Sequence, residues 1–157
     1  MRRFTIVLAV LVAAAMTATA AMSANAHYIS GPSCPLQGGT LVCSGKVAGL
    51  GSLPLFVVVN APAGCTTQSG SNNPPGQATF TSGPFTTSNG QFTFGPGTGN
   101  NVTASGPNCP GNQTGFVLAE NVTVSLYECS SGSPSFNKSG AQTNKNCSLV
   151  LGPTAAS

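Results

Sequence analysis

Twenty glycines and twelve prolines are spread so evenly after residue 30 that no apolar pattern of period 3.6 survives three turns without meeting one. A helix of ordinary length has no place in that part of the chain. Short strands between turns are what remains. The turn-rich stretches confirm the punctuation: Pro32-Ser33-Cys34-Pro35, Asn72-Asn73-Pro74-Pro75-Gly76 and Gly95-Pro96-Gly97-Thr98-Gly99 all read as loops.

The first 26 residues differ. Met1-Arg2-Arg3 is a basic start, residues 4–16 are an apolar run, and small residues follow. This is the layout of a secretory signal peptide, and the run is shorter than the roughly 20 residues a membrane span needs. Two small-x-small sites invite cleavage, Ala18-Thr19-Ala20 and Ala24-Asn25-Ala26. The change of composition at His27 favours the second. The expected layout is a signal peptide at 1–26, a domain at 27–152 and a disordered tail at 153–157.

An exported chain meets an oxidising compartment. The six cysteines, Cys34, Cys43, Cys65, Cys109, Cys129 and Cys147, then read as three disulfides. Fifteen connectivities are open. The sequential one, Cys34–Cys43, Cys65–Cys109 and Cys129–Cys147, is expected: its first and last bridges close short hairpin-like loops and its middle one ties the centre. No Cys-x-x-Cys pair occurs and there is one histidine, so no metal site is expected.

Period-2 patterns place the strands. Over 40–48, Leu41, Cys43 and Val47 share a face. Residues 53–60 have an unbroken apolar centre, as in a strand covered on both sides. Segments 77–81 and 90–94 flank Ser88-Asn89-Gly90 and read as a hairpin with a type I′ turn, with Phe80 meeting Phe92 and Phe94 across the sheet. Residues 101–105 form a weaker strand. Phe116, Leu118, Val122, Val124 and Leu126 share parity, in one long strand or a hairpin turning near Glu120-Asn121. Cys147, Leu149 and Leu151 end the pattern. About seven strands of this kind predict an all-β fold, an antiparallel immunoglobulin-like β-sandwich stapled by disulfides.

Charge excludes more than it suggests. Only seven residues are Asp, Glu, Lys or Arg. Beyond residue 26 they are Lys46, Lys138, Lys145, Glu120 and Glu128, too few to neutralise a phosphate backbone, so no nucleic-acid partner is expected. No membrane partner is expected once the export segment is removed. A Ser-His-Asp triad lacks its Asp. Glu120 and Glu128 on one strand would stand roughly 26 Å apart at about 3.3 Å per residue, against about 5–9.5 Å for a glycosidase pair. Both are expected at strand ends in solvent. Asn-x-Ser/Thr triplets stand at Asn101, Asn112, Asn121, Asn137 and Asn146. A Thr-rich set, Thr79, Thr81, Thr86, Thr87 and Thr93, reads as a solvated sheet face.

Three local resemblances add expectations. His27-Tyr28-Ile29-Ser30-Gly31-Pro32 resembles the mature start of bacterial lytic polysaccharide monooxygenases, which implies copper at a terminal histidine; the second histidine of that copper brace is missing here. Gly45-Lys46-Val47-Ala48-Gly49-Leu50-Gly51, the later Cys65 and Ser88-Asn89-Gly90-Gln91-Phe92 resemble neocarzinostatin-type apoproteins, which implies an immunoglobulin-like carrier of an apolar chromophore. The pattern Cys65…Pro74-Pro75-Gly76-Gln77…Asn108-Cys109-Pro110 resembles small secreted actinobacterial proteins of no assigned activity. The expected function is a secreted, non-catalytic binding or structural module without a cofactor. Its low-charge Ser/Thr/Asn surface fits an uncharged glycan, a wall polymer or another copy of itself. A small-molecule carrier and a protease inhibitor using loop 68–77 are the alternatives.

Overall fold

The computed structural model describes residues 25–67, 69 and 75–157. Most of the expected signal peptide, and loop 68–77 apart from Ser69 and residues 75–77, lie outside the described residues. Ten strands follow in order: β1 (His27–Ser33), β2 (Leu36–Gln37), β3 (Thr40–Ala48), β4 (Leu55–Thr66), β5 (Gly76–Phe85), β6 (Gln91–Phe94), β7 (Val102–Ser105), β8 (Thr114–Val117), β9 (Thr123–Cys129) and β10 (Cys147–Ala155). No helix occurs among the described residues.

The strands form two antiparallel sheets. In the smaller, β3 is central. It pairs with β1 and then β2 along one side, and with β6 and then β7 along the other. In the larger sheet the order is β10–β9–β4–β5, with β8 also on β4. The inner faces share one core. Leu41, Cys43, Val47, Phe92, Phe94 and Val102 meet Leu55, Val57, Val59, Val117, Val124 and Leu126 there. The fold is therefore an all-β sandwich.

Several expectations are corrected by this arrangement. Segments 77–81 and 90–94 do not pair as a hairpin: β5 pairs with β4 and β6 with β3, so the two lie in different sheets. The Asn-Gly turn forms, with Asn89 and Gly90 at φ 51° and 69°, but it closes only the Ser88–Gln91 bridge. Phe92 meets Phe85 across the core at 5.1 Å and Phe94 at 5.6 Å.

Residues 116–126 form neither one strand nor a hairpin. β8 and β9 lie end to end along the same side of β4. From Asn60 to Ala63 β4 advances three residues while the opposite chain spends six, from Thr123 back to Val117. An odd excess reverses which side chains face inward. Val117 is therefore buried instead of Phe116 and Leu118.

The chain also runs on where loops or disorder were expected. β1 includes Pro32, and β10 continues through Pro153 to Ala155 instead of ending at Gly152. The 153–157 tail is tied down: Ser157 N–H donates to Pro32 O at 3.1 Å, and Cys34 N–H donates to Ser157 O at 3.1 Å. Gly31-Pro32, Gly83-Pro84 and Gly152-Pro153 each lie in an outer strand beside a register shift. Proline lacks the ladder N–H, so outer strands and bulges are where a sheet accepts it. Gly83 and Gly152 have φ of 132° and 105°, and a Cβ on either would meet a neighbouring backbone carbonyl at 2.8 or 2.6 Å.

The six cysteines pair as Cys34–Cys43, Cys65–Cys109 and Cys129–Cys147. The first and last join facing positions of neighbouring chains, with Cα atoms 4.0 Å apart. The middle bridge fastens β4 to the 106–113 segment.

Candidate functional site

The outer face of the smaller sheet carries the main candidate. On β3 the inward row is Leu41, Cys43 and Val47, so Ser44 and Lys46 fall on the outward row. Register sets their neighbours. Ser30 of β1 and Thr93 of β6 flank Lys46 on either side, and Ser33 lies opposite Ser44. In β6 the alternation buries Phe92 and Phe94 and turns Gln91 and Thr93 out.

Two depressions of about 370 and 400 Å³ adjoin on this face, and Lys46, Thr93 and Thr98 line both. Together they make one trench across β1, β3 and β6, with polar side chains set in a largely apolar lining. The 95–100 loop walls it. Thr98 Oγ1 donates to Gly95 O at 2.8 Å, Asn100 N–H donates to Thr98 Oγ1 at 3.1 Å, and Asn100 Nδ2 donates to Thr93 O at 2.8 Å. The floor is different. Among the described residues, the side chains of Ser30, Ser44, Lys46, Gln91 and Thr93 have no hydrogen bond or ion pair within the protein.

The remaining candidates are used elsewhere. Glu128 is not in solvent: it is 3% exposed and continues the inward row of Val124 and Leu126. Its carboxylate accepts the Gly51 N–H at 2.6 Å. Thr87 Oγ1 donates to Gly51 O at 2.8 Å, so the 49–54 loop is fastened from both sides. Glu128 stands roughly 17 Å along β9 from Thr123, at about 3.3 Å per residue. Glu120 precedes that strand and is exposed, so the two carboxylates do not form a catalytic pair. His27 begins β1, exposed, with Nδ1 bonded to Asn25 O at 2.8 Å. Among the described residues no three of His, Cys, Asp and Glu are placed to hold a metal. All six cysteines are in disulfides.

The five threonines do not form one face. Thr79 and Thr81 are on β5 and Thr93 on β6, in opposite sheets. Thr79 Oγ1 is bound to Asn60 Oδ1 at 2.7 Å. Asn101, Asn112, Asn121, Asn137 and Asn146 are all exposed. Burial raises the phenol pKa of Tyr28 well above the ordinary tyrosine range, and that of Tyr127 less far. The Tyr28 hydroxyl is buried with no partner among the described residues.

A second depression, about 390 Å³ and more apolar, lies between the sheets' ends and is lined by Leu36, Phe116, Val117 and Leu118 with Gly39, Thr66 and Gly115.

In the sequence Lys46 stands out only as a charge and as part of the Gly45–Gly51 run. The signal was present, because Lys46 has the opposite parity to Leu41, Cys43 and Val47. What no parity shows is that β1 and β6 bring Ser30 and Thr93 alongside it. No protein-family model, no curated protein and no solved structure matches this chain.

Proposed function

We propose that this protein is an exported, non-catalytic binding module that holds a segment of a hydroxyl-rich polymer, such as a cell-wall glycan, along the trench of the smaller sheet. One observation carries the reading: a trench across the sheet's outer face whose hydroxyl, amide and ammonium floor groups have no partner among the described residues. Hydroxyls and amides held on a rigid sheet lose little freedom on binding and match a ligand rich in the same groups. Export is supported by three disulfides, which persist in oxidising surroundings. The non-catalytic reading is supported by the use of Glu128 as a loop fastener.

The test is retention of the purified, disulfide-bonded protein on insoluble wall polysaccharides. Ser30→Ala with Thr93→Ala is expected to lower retention, and Thr79→Ala with Thr81→Ala on the other sheet to leave it unchanged. Equal retention of the two variants would overturn the assignment.

The apolar depression between β2 and β8 favours a second reading, a carrier of a small apolar molecule. Binding of an apolar dye that Leu36→Asp abolishes would support it. A dye unaffected by that change would remove it.

A further inference from the structure

We infer that the polymer held in the trench carries acidic groups and that Lys46 is the residue that reads them. This rests on the trench reading above and narrows its ligand.

The argument is one of charge placement. From residue 47 to residue 119 the chain contains no Asp, Glu, Lys, Arg or His. Lys46 is the one Lys, Arg, Asp or Glu in the five strands of the smaller sheet. It stands where the two halves of the trench join, between Ser30 and Thr93. Both side-chain carboxylates belong to the other sheet's chain segments. Glu128 is buried against Gly51, and Glu120 is on the break between β8 and β9. Among the described residues the Lys46 ammonium makes no ion pair.

Lys46 is also half-buried, so part of its side chain is already withdrawn from water. A neutral sugar segment laid over it would remove more water from the ammonium and return no charge, which is unfavourable. An acidic segment returns it. A carboxylate or phosphodiester at the junction would accept charge-assisted hydrogen bonds from Nζ, and its neighbouring hydroxyls would meet Ser30, Ser44 and Thr93. One lysine reads one acidic group, which any repeat of an acidic polymer can present.

The experiment measures binding of the disulfide-bonded protein to three soluble probes: a polygalacturonate, a glycerol-phosphate teichoic polymer and a neutral dextran. Wild type is expected to bind one of the two acidic probes about tenfold more tightly than dextran, with the difference shrinking as salt is raised. Which acidic probe wins distinguishes a carboxylate from a phosphodiester. Lys46→Met keeps the stem and is expected to reduce acidic binding to the dextran level. Lys46→Arg is expected to retain it, as is Lys138→Met, which removes an exposed lysine outside the trench. An acidic preference that survives Lys46→Met, or falls equally in Lys138→Met, overturns the inference. Equal binding of dextran and the acidic probes overturns it too but leaves the trench reading standing. Failure of all three probes sinks the trench reading itself.

Discussion

The two sheets bury similar inner faces and treat their outer faces oppositely. On the larger sheet the 130–146 segment, stapled at its base by Cys129–Cys147, folds back over the outside. Phe136 meets Tyr127 edge-on at 5.6 Å, and residues 137–140 share a depression with Asn60, Gln77 and Thr79. Asn137 holds the segment's tip: its Oδ1 accepts from Ser139 N–H, Ser139 Oγ and Ala141 N–H. Beneath, Phe56 packs with Cys129 and Cys147 as a second, smaller core. Among the described residues the smaller sheet has no such cover, and around Lys46 its outward side chains are Ser30, Ser44, Gln91 and Thr93. The difference teaches that polar residues on a sheet need no further chain to satisfy them, whereas an apolar outer row does.

The comparison can be broken most severely at Phe56. Phe56→Ala empties the second core, and we expect a loss of about 3–5 kcal/mol, measured by denaturant unfolding. Thr93→Val on the bare face should stay within about 0.5 kcal/mol. Similar losses at the two sites would mean that the outer faces are not energetically different. Next in size is the staple. Cys129→Ser with Cys147→Ser should cost about 2–5 kcal/mol and admit protease to the 130–146 segment. Intact resistance would show that packing alone holds the cover.

Glu128→Ala leaves the Gly51 N–H without its acceptor and should cost about 1–3 kcal/mol. The loss should be accompanied by faster amide exchange at Gly51. Unchanged exchange there would dismiss Glu128 as the fastener. The smallest effect has the opposite sign. Tyr28→Phe removes a buried hydroxyl with no partner among the described residues and should stabilise by about 1 kcal/mol. It should also flatten the alkaline limb of the stability profile. In the folded state the Tyr28 phenol titrates above its unfolded value of about 10. Its contribution is therefore complete below that pH and is lost as pH rises beyond it. A wild-type profile as flat as the variant's between pH 9 and about 11 would show that Tyr28 is not buried in this way.

Much of this contrast is legible in the residues. The unbroken run Leu55–Val59 required cover on both sides, and all five are buried. The alternation in 40–48 required one bare face, and Ser44 and Lys46 are on it. What was not legible is what lies next to what. Ser88-Asn89-Gly90 is a strong local turn signal, yet the strands on either side of it join different sheets. A turn fixes the direction of the chain over a few residues, but the choice of partner strand is made by which inner face completes the core. Glu128 looked like a surface charge because its acceptor role depends on Gly51, 77 residues away in sequence.

By itself, the sequence determined the fold class, through a spacing of Gly and Pro that no helix tolerates. It also determined the strands of β3 and the centre of β4, through side-chain period, and the near-neutral surface, through composition. The tertiary structure alone decided where the outer strands end. Gly31-Pro32, Gly83-Pro84 and Gly152-Pro153 all lie within strands, because at the border of a sheet the missing proline N–H has no neighbour to serve. The chain passes through each as a bulged strand. The tertiary structure also decided that Val117 rather than Phe116 faces the core, because three extra residues opposite β4 reverse the alternation. Only assembled strands set Lys46 between Ser30 and Thr93, because pairing partners come from distant parts of the chain and side-chain period carries no record of them.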